Sequence, residues 1–283
     1  MDELARATTR HVARQYFSYT HGSAYNERGT NIFDEDWDNL IVLDACRYDS
    51  FREHNHIPGR LESRISRGSA SREFVVGNFD GRRLDDTVYV SSNAWFGKLH
   101  ERLDTRLHYY RLCERDAFDG VVTHPATVTD TAVAHDERYP DKRLLVHYLQ
   151  PHGPYFGRDG DERFRFPTEG HGDCDPAVLR EAYVQNLELV LSEVERLLDE
   201  LRGKTVITAD HGELLGERLW PIPVRQYQHP PGIYVEELVR VPWHVVETGS
   251  RKRITAESDV ADRGYERLET DELDDQLAAL GYT

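Results

Sequence analysis

The sequence predicts an α/β fold, with one mostly parallel central sheet and helices on both of its faces. Three observations carry that prediction. Short apolar runs rich in β-branched residues recur without strict alternation, as strands covered on both faces do. Helical patterns lie between these runs. Polar residues gather just after several of them, at the carboxyl ends of strands where such sheets hold ligands.

The first strand is Asn39-Leu40-Ile41-Val42-Leu43, which ends on Asp44. The others are Thr87 to Ser91, Arg143 to Leu149, Lys204 to Thr208 and Val241 to Val246. The clearest helix runs from Pro176 to Arg202. Proline suits a first helical turn and Asp175 suits the cap before it. Leu179, Tyr183, Leu187, Val190, Leu191, Val194, Leu197, Leu198 and Leu201 recur at helical spacing, and Gly203 closes the pattern. The chain of 283 residues is read as one domain over 1–283, with an N-terminal arm at 1–36 and an acidic helical tail at 255–283. Tyr16, Phe17 and Tyr19 read as a packing arm, and Leu268, Leu273, Leu277, Leu280 and Tyr282 as the docking face of the tail.

With 51 acidic against 35 basic residues the net charge is −16, which disfavours a nucleic-acid partner. The only lysines are Lys98, Lys142, Lys204 and Lys252. An acidic, lysine-poor surface suits a salt-rich cytoplasm, where repulsion is screened at short range. A halophilic, cytoplasmic protein is therefore expected. No stretch has the length of a membrane span, and the N-terminus lacks the apolar core of a signal peptide. Cys46, Cys113 and Cys174 have no paired spacing and support neither disulfides nor a zinc knuckle.

Asp44 at a strand end either caps the next helix or binds a metal. The stretch "TVITADHGELLGE" is more telling, because Asp210 and His211 adjoin in a turn and both can face one ion. Gly212 lets the backbone turn, and Glu213 is placed to support a ligand from behind. His152, in "HYLQPHGPYFG", and His229, in "YQHPPGIYVEELVRVPW", each sit in a proline-flanked turn. Either reads equally as an exposed turn histidine. In "SRISRGSASREFVVGNF", Ser69 and Ser71 are helix caps or hydroxyl nucleophiles, and Arg72 or Arg67 offers a fork for an oxyanion. Cys46 reads as a small buried thiol, and Asn93-Ala94-Trp95-Phe96 as a buried aromatic turn.

In this order, Asp44 after its strand, the Ser-rich helix start, "QPHGPY", "VITADHGELLGE" and "YVEELVRVPW" resemble the alkaline phosphatase–sulfatase superfamily over about Asn39 to Val246. The similarity is greatest to small sulfatase-like and phosphoglycerol-transferase-like members. It implies a divalent-metal site (Zn, Mn, Mg or Ca) made by Asp44, Ser71, Asp210 and His211. It implies that His152 and His229 serve a second metal or the anionic group of the substrate. It implies a metal-dependent hydrolase of phosphate or sulfate esters with a Ser nucleophile and a covalent intermediate. The alternatives are transfer to a glycan or lipid head group, or a binding protein that keeps the fold with a reduced site. The expected partner is a small anionic ester, sugar- or lipid-linked esters included. Two departures stand out. "SASREF" lacks the C/S-x-P-x-R spacing of sulfatases. Tyr148 and Gln150 stand where two-metal members carry an acidic ligand, which favours one metal, with His152 and His229 on the substrate.

Overall fold

The computed structural model describes residues 24–157, 159–164, 175–219, 225–256, 264–265 and 270–279. The strands are β1 (Asn39–Leu43), β2 (Arg60–Ile65), β3 (Arg83–Ser91), β4 (Arg106–Leu112), β5 (Arg143–Tyr148), β6 (Tyr155–Phe156), β7 (Glu162–Phe164), β8 (Gly203–Ala209), β9 (Leu214–Arg218), β10 (Arg225–Gln228), β11 (Arg240–Thr248) and β12 (Gly264–Tyr265). The α-helices are α1 (Tyr48–His54), α2 (Ser71–Phe79), α3 (Trp95–Leu99), α4 (Pro125–Arg138), α5 (Pro176–Glu200), α6 (Glu236–Val239) and α7 (Thr270–Ala279).

Eight strands form one sheet in the order β12-β4-β3-β5-β1-β8-β11-β2. All neighbours are parallel except at β11, which runs against both β8 and β2. The reason is the connection. A parallel neighbour needs a crossover back to the start of the sheet. The chain leaving β8 instead makes the β9–β10 hairpin and α6, then re-enters at the end it left. All five predicted strands are present, and the fold class is as predicted. The sequence reading omits β2, β4 and β12.

Every residue of β1 is buried. Ile41 and Leu43 face a cluster with Phe51 of α1, Val128 and Ala132 of α4, and Leu187, Val190 and Val194 of α5. Leu40 and Val42 face the opposite cluster, with Phe74 and Phe79 of α2, Phe96 of α3, and Leu273 and Leu277 of α7. Alternate side chains of one strand thus build two cores, each fully buried aliphatic group contributing about 2 kcal/mol. The long helix starts as its sequence dictates, with Asp175 accepting a hydrogen bond from the Ala177 N–H at 2.9 Å. Asn186 is the exception on its apolar face and is fully buried. Its amide donates to the carbonyls of Pro151, His152 and Pro154 and accepts from the Phe156 N–H at 3.2 Å. One helix side chain therefore shapes the turn that carries His152.

Residues 24–36 of the expected arm are pinned to the domain: the Asn26 N–H donates to Arg67 O at 2.7 Å, and the Thr30 N–H to Ile65 O at 2.8 Å. Tyr16, Phe17, Tyr19, Cys174, Leu268, Leu280 and Tyr282 lie outside the described residues. No helix among the described residues is long and apolar enough to cross a membrane.

Candidate active site

Strands β5, β1 and β8 are adjacent and parallel, so their carboxyl ends bring three loops together. Asp44 follows β1, Asp210 and His211 follow β8, and His152 follows β5. Asp44, Asp210 and His211 are fully buried, and each offers a ligand atom within 4.8 Å of the other two. His211 Nε2 lies 3.3 Å from Asp210 Oδ2 and 3.5 Å from Asp44 Oδ1.

Ser71 joins this group. It is the first residue of α2, with Ala70 in the cap position, so it is not a helix cap. Its buried Oγ is 3.2 Å from His211 Nε2 and 3.5 Å from Asp44 Oδ2. His211 Nδ1 donates to Gly212 O at 2.8 Å, which makes Nε2 the unprotonated nitrogen facing Ser71.

The two carboxylates are held unequally. Asp210 Oδ1 accepts from the N–H groups of Ala45 (3.0 Å) and His211 (2.8 Å). Asp44 Oδ2 accepts from Asn93 Nδ2 at 2.7 Å. The remaining oxygens, Asp44 Oδ1 and Asp210 Oδ2, are buried without a hydrogen-bond partner. Burial, then the charge of Asp210, pushes the Asp44 carboxyl well above the usual range. Burial acts the same way on Asp210, yet the His211 and His147 rings and the bond from the Ala45 N–H keep it below that range. Two orphaned carboxylate oxygens beside an imidazole nitrogen and a hydroxyl suit a divalent cation. Ligand atoms about 2.1 Å from one ion stand about 3.4 Å apart, close to the spacings here.

Strain marks the same place. Ala45, directly after Asp44, has φ 61°. Such a conformation costs about 1 kcal/mol without glycine and persists where its surroundings fix it. The Ala45 N–H is held by Asp210, and its carbonyl accepts from the Tyr183 hydroxyl at 2.8 Å.

A second group adjoins the first. His152, Glu213 and His229 are all buried and offer ligand atoms within 4.8 Å of one another. His229 Nδ1 is 2.9 Å from Glu213 Oε2, and the His229 ring centroid lies 4.4 Å from that of His211 and 5.0 Å from that of His152. Tyr148 and Gln150 take no part: the Tyr148 hydroxyl bonds Thr129 Oγ1, and Gln150 Nε2 donates to Thr123 O. The acidic group missing from the sequence around His152 is supplied in space by Glu213. That removes the sequence-based preference for a single metal, because this donor set also suits an ion.

Other sequence candidates lie elsewhere. The Ser69 hydroxyl is engaged with Glu73 Oε2 (2.9 Å) and Pro230 O (3.2 Å). Arg72 is exposed, while its neighbour Ser71 is buried. Arg67 is spent on Gly29 O, Gly77 O and the Tyr25 ring. Cys46 is a buried thiol, as expected. The turn at 93–96 places Ala94 and Phe96 in the core, but Asn93 holds Asp44. His147 was also passed over in the sequence: fully buried at the end of β5, it has Nε2 3.7 Å from Asp210 Oδ2 and Nδ1 2.9 Å from the Tyr89 hydroxyl.

Gly212 is needed for close approach; its φ is not in the left-handed region. Its N–H donates to Leu238 O, and an added Cβ would sit 2.0 Å from Glu237 O. Gly212→Ala is expected to cost about 1–3 kcal/mol and to weaken metal binding, because the ligand turn must leave α6. Thermal denaturation with and without Mn²⁺ checks this, and an unchanged melting curve would overturn it.

Burial lowers His147 from 6.5 to about 4, with Asp210 opposing and His211 reinforcing the shift. Burial and then His229 lower His152 to about 4. His211 is lowered by burial as well. These rings are neutral at pH 7, the form in which an imidazole can bind a metal. In chelated protein the unfolded chain binds their protons below pH 6.5 while the folded chain does not, so stability falls as pH drops from 6.5 towards 4. The raised Asp44 acts in the opposite sense, but it is one group against three. A loss of a few kcal/mol is expected from urea denaturation in EDTA across this window; a flat or rising profile would contradict it.

No protein-family model matches this sequence, and no curated protein matches it. Solved structures do. The periplasmic domain of the phosphoethanolamine transferase EptC from Campylobacter jejuni superposes with a TM-score of 0.50, at 17% identity, over 74% of this chain and 78% of that one. The chain has the alkaline phosphatase–sulfatase fold. The periplasmic domain of EptC from Escherichia coli in complex with Zn is similar at 12% identity, a TM-score of 0.46 and coverage of 80% and 76%. A putative sulfatase from Bacteroides thetaiotaomicron is similar at 12% identity, a TM-score of 0.44 and coverage of 88% and 72%. Within the alkaline phosphatase–sulfatase fold of this chain, both metal-capable groups lie beyond the carboxyl edge of the sheet.

Proposed function

We propose that this protein is a metal-dependent hydrolase of phosphate or sulfate esters, or a related transferase, acting through Ser71 and a covalent seryl intermediate. The observation that carries this reading is the Ser71 hydroxyl, buried and 3.2 Å from His211 Nε2 in the midst of two orphaned carboxylate oxygens. Asp44, Asp210, His211 and Ser71 would hold one divalent ion, and His152, Glu213 and His229 have the donors for another. A bound ion supplies Lewis acidity, lowering the hydroxyl pKa and offsetting charge on the ester oxygens.

The chain's own groups do the rest. Asp210, with its N–H bonds from Ala45 and His211, stays ionised and fixes the turn. His211 has only Nε2 to offer an ion, since its Nδ1 is bonded to Gly212 O, so the Ser71 proton would pass to the departing alcohol rather than to this ring. Ser71 Oγ bonds to phosphorus or sulfur as the ester oxygen departs as an alcohol, taking up one proton. Water then attacks the seryl ester, restores Ser71 and releases the inorganic anion. Transfer uses the same first step, with an acceptor alcohol in place of water. The phosphoethanolamine transferase from C. jejuni, alike in fold, supports keeping this form of the reaction. The missing sulfatase motif in "SASREF" favours phosphorus over sulfur. Arg72, exposed on α2, has no part in this scheme.

The test is a panel of chromogenic phosphate monoester, phosphodiester and sulfate ester with Mn²⁺, Zn²⁺ or EDTA. Turnover of at least one ester that EDTA abolishes is expected. Silence on all three, with no metal by elemental analysis, would leave a binding protein of this fold.

A further inference from the structure

Glu73 sits in the first turn of α2 and is 5% exposed. Buried carboxylates are costly unless paired or well hydrogen-bonded. Among the described residues Glu73 forms no ion pair, and its carboxylate instead collects donors from two separate segments. Oε2 accepts from the Ser69 N–H at 2.8 Å and the Ser69 hydroxyl at 2.9 Å. Oε1 accepts from the Gly232 N–H at 2.9 Å and the Tyr234 hydroxyl at 3.4 Å. The first pair leads straight into Ser71, and the second follows His229 in the chain. The Ile233 N–H completes the joint by donating to Ser69 Oγ at 3.3 Å.

We propose that Glu73 is a positioning residue that holds the start of α2, and with it Ser71, in register with the segment carrying His229. The proposal rests on Ser71 being the nucleophile. A plain stabilising carboxylate would need donors from either segment alone; this one divides its two oxygens between them. Misplacing a reacting group by about 1 Å costs about 100-fold in rate, so a joint between the nucleophile and the neighbouring histidine group controls turnover.

Glu73→Gln tests it. An amide keeps one acceptor and brings two N–H donors, so one of the two segments must let go. On the ester that the wild type turns over best, kcat is expected to fall about 100-fold with KM changed by no more than about threefold. In metal-free full-length protein the His229 ring NMR signal shifts, while that of His147, held by Tyr89, does not. If Glu73→Gln fails to fold, Tyr234→Phe removes a single donor and should move both readouts less, in the same direction. A variant with wild-type kcat per folded molecule and an unmoved His229 signal would overturn the proposal. If the wild type turns over no ester, the proposed reaction is what fails, and the ring signal alone then decides for or against the joint.

Discussion

Ser71→Ala is expected to lower turnover roughly a thousandfold or more, the scale seen when a nucleophile is removed from a preorganised site. Three features support so large an effect. Among the sequence candidates, the Ser71 hydroxyl alone touches both Asp44 and His211. It sits at the amino end of a nine-residue helix, whose dipole favours the anion that develops there. It is shielded from water, which strengthens each local electrostatic interaction. The fold should be untouched, since alanine deletes one buried oxygen and leaves no backbone group unpaired. Ser69→Ala is the control: it removes the hydroxyl's bond to Glu73 but keeps the bond from its own N–H and leaves Ser71 in place, and should cost far less. Steady-state kinetics on both variants decides. An active Ser71→Ala beside a dead Ser69→Ala would move the chemistry to Ser69 and sink the assignment.

Asp210→Asn separates stability from metal binding. Asparagine keeps an oxygen for the Ala45 and His211 N–H groups, so the turn survives. It removes the charge that, after burial, pushes Asp44 up. Relief of Asp44 and loss of Asp210's own favourable charge act in opposite senses, so the metal-free variant is expected to stay within about 2 kcal/mol of the wild type. An ion at 100 times its Kd adds about 2.7 kcal/mol to the folded state, and this variant should lose that gain. Asp210→Ala removes metal binding too but strands two buried N–H groups, at about 1–3 kcal/mol each. Differential scanning with and without Mn²⁺ reads both effects. Full metal-induced stabilisation in Asp210→Asn would place the ion elsewhere.

The central strands were legible because burial on two faces concentrates apolar and β-branched residues in them, as in Leu40–Leu43 of β1, Leu144–Val146 of β5 and Thr205–Ala209 of β8. Strand β2, RLESRI, was hidden because it lies at the sheet edge, half exposed, and its charges blunt that edge. Strand β4, RLHYYRL, breaks its apolar residues with two arginines and a histidine and carries no such run. At the site, Asp44, Asp210 and His211 were visible as polar residues ending apolar strands. Glu213 was read as a supporting residue because its link to His152 and His229 exists only in space. Asn93 and His147 looked like turn and strand residues; their contacts with Asp44 and Asp210 need the sheet order. Asn186 did leave a trace, as an amide on an otherwise apolar helix face.

The position of β1 has a consequence for biogenesis. This strand leaves the ribosome before both of its neighbours, and it finds them only when Leu144 and Thr205 arrive to pair with Asn39. Until then a largely apolar segment has both edges unsatisfied, the situation in which nascent chains aggregate or recruit chaperones. Such distant pairings also slow folding. Asp44 and Asp210 meet only after β8 has been translated, so the growing chain lacks the proposed ion site until β1, β5 and β8 have all emerged.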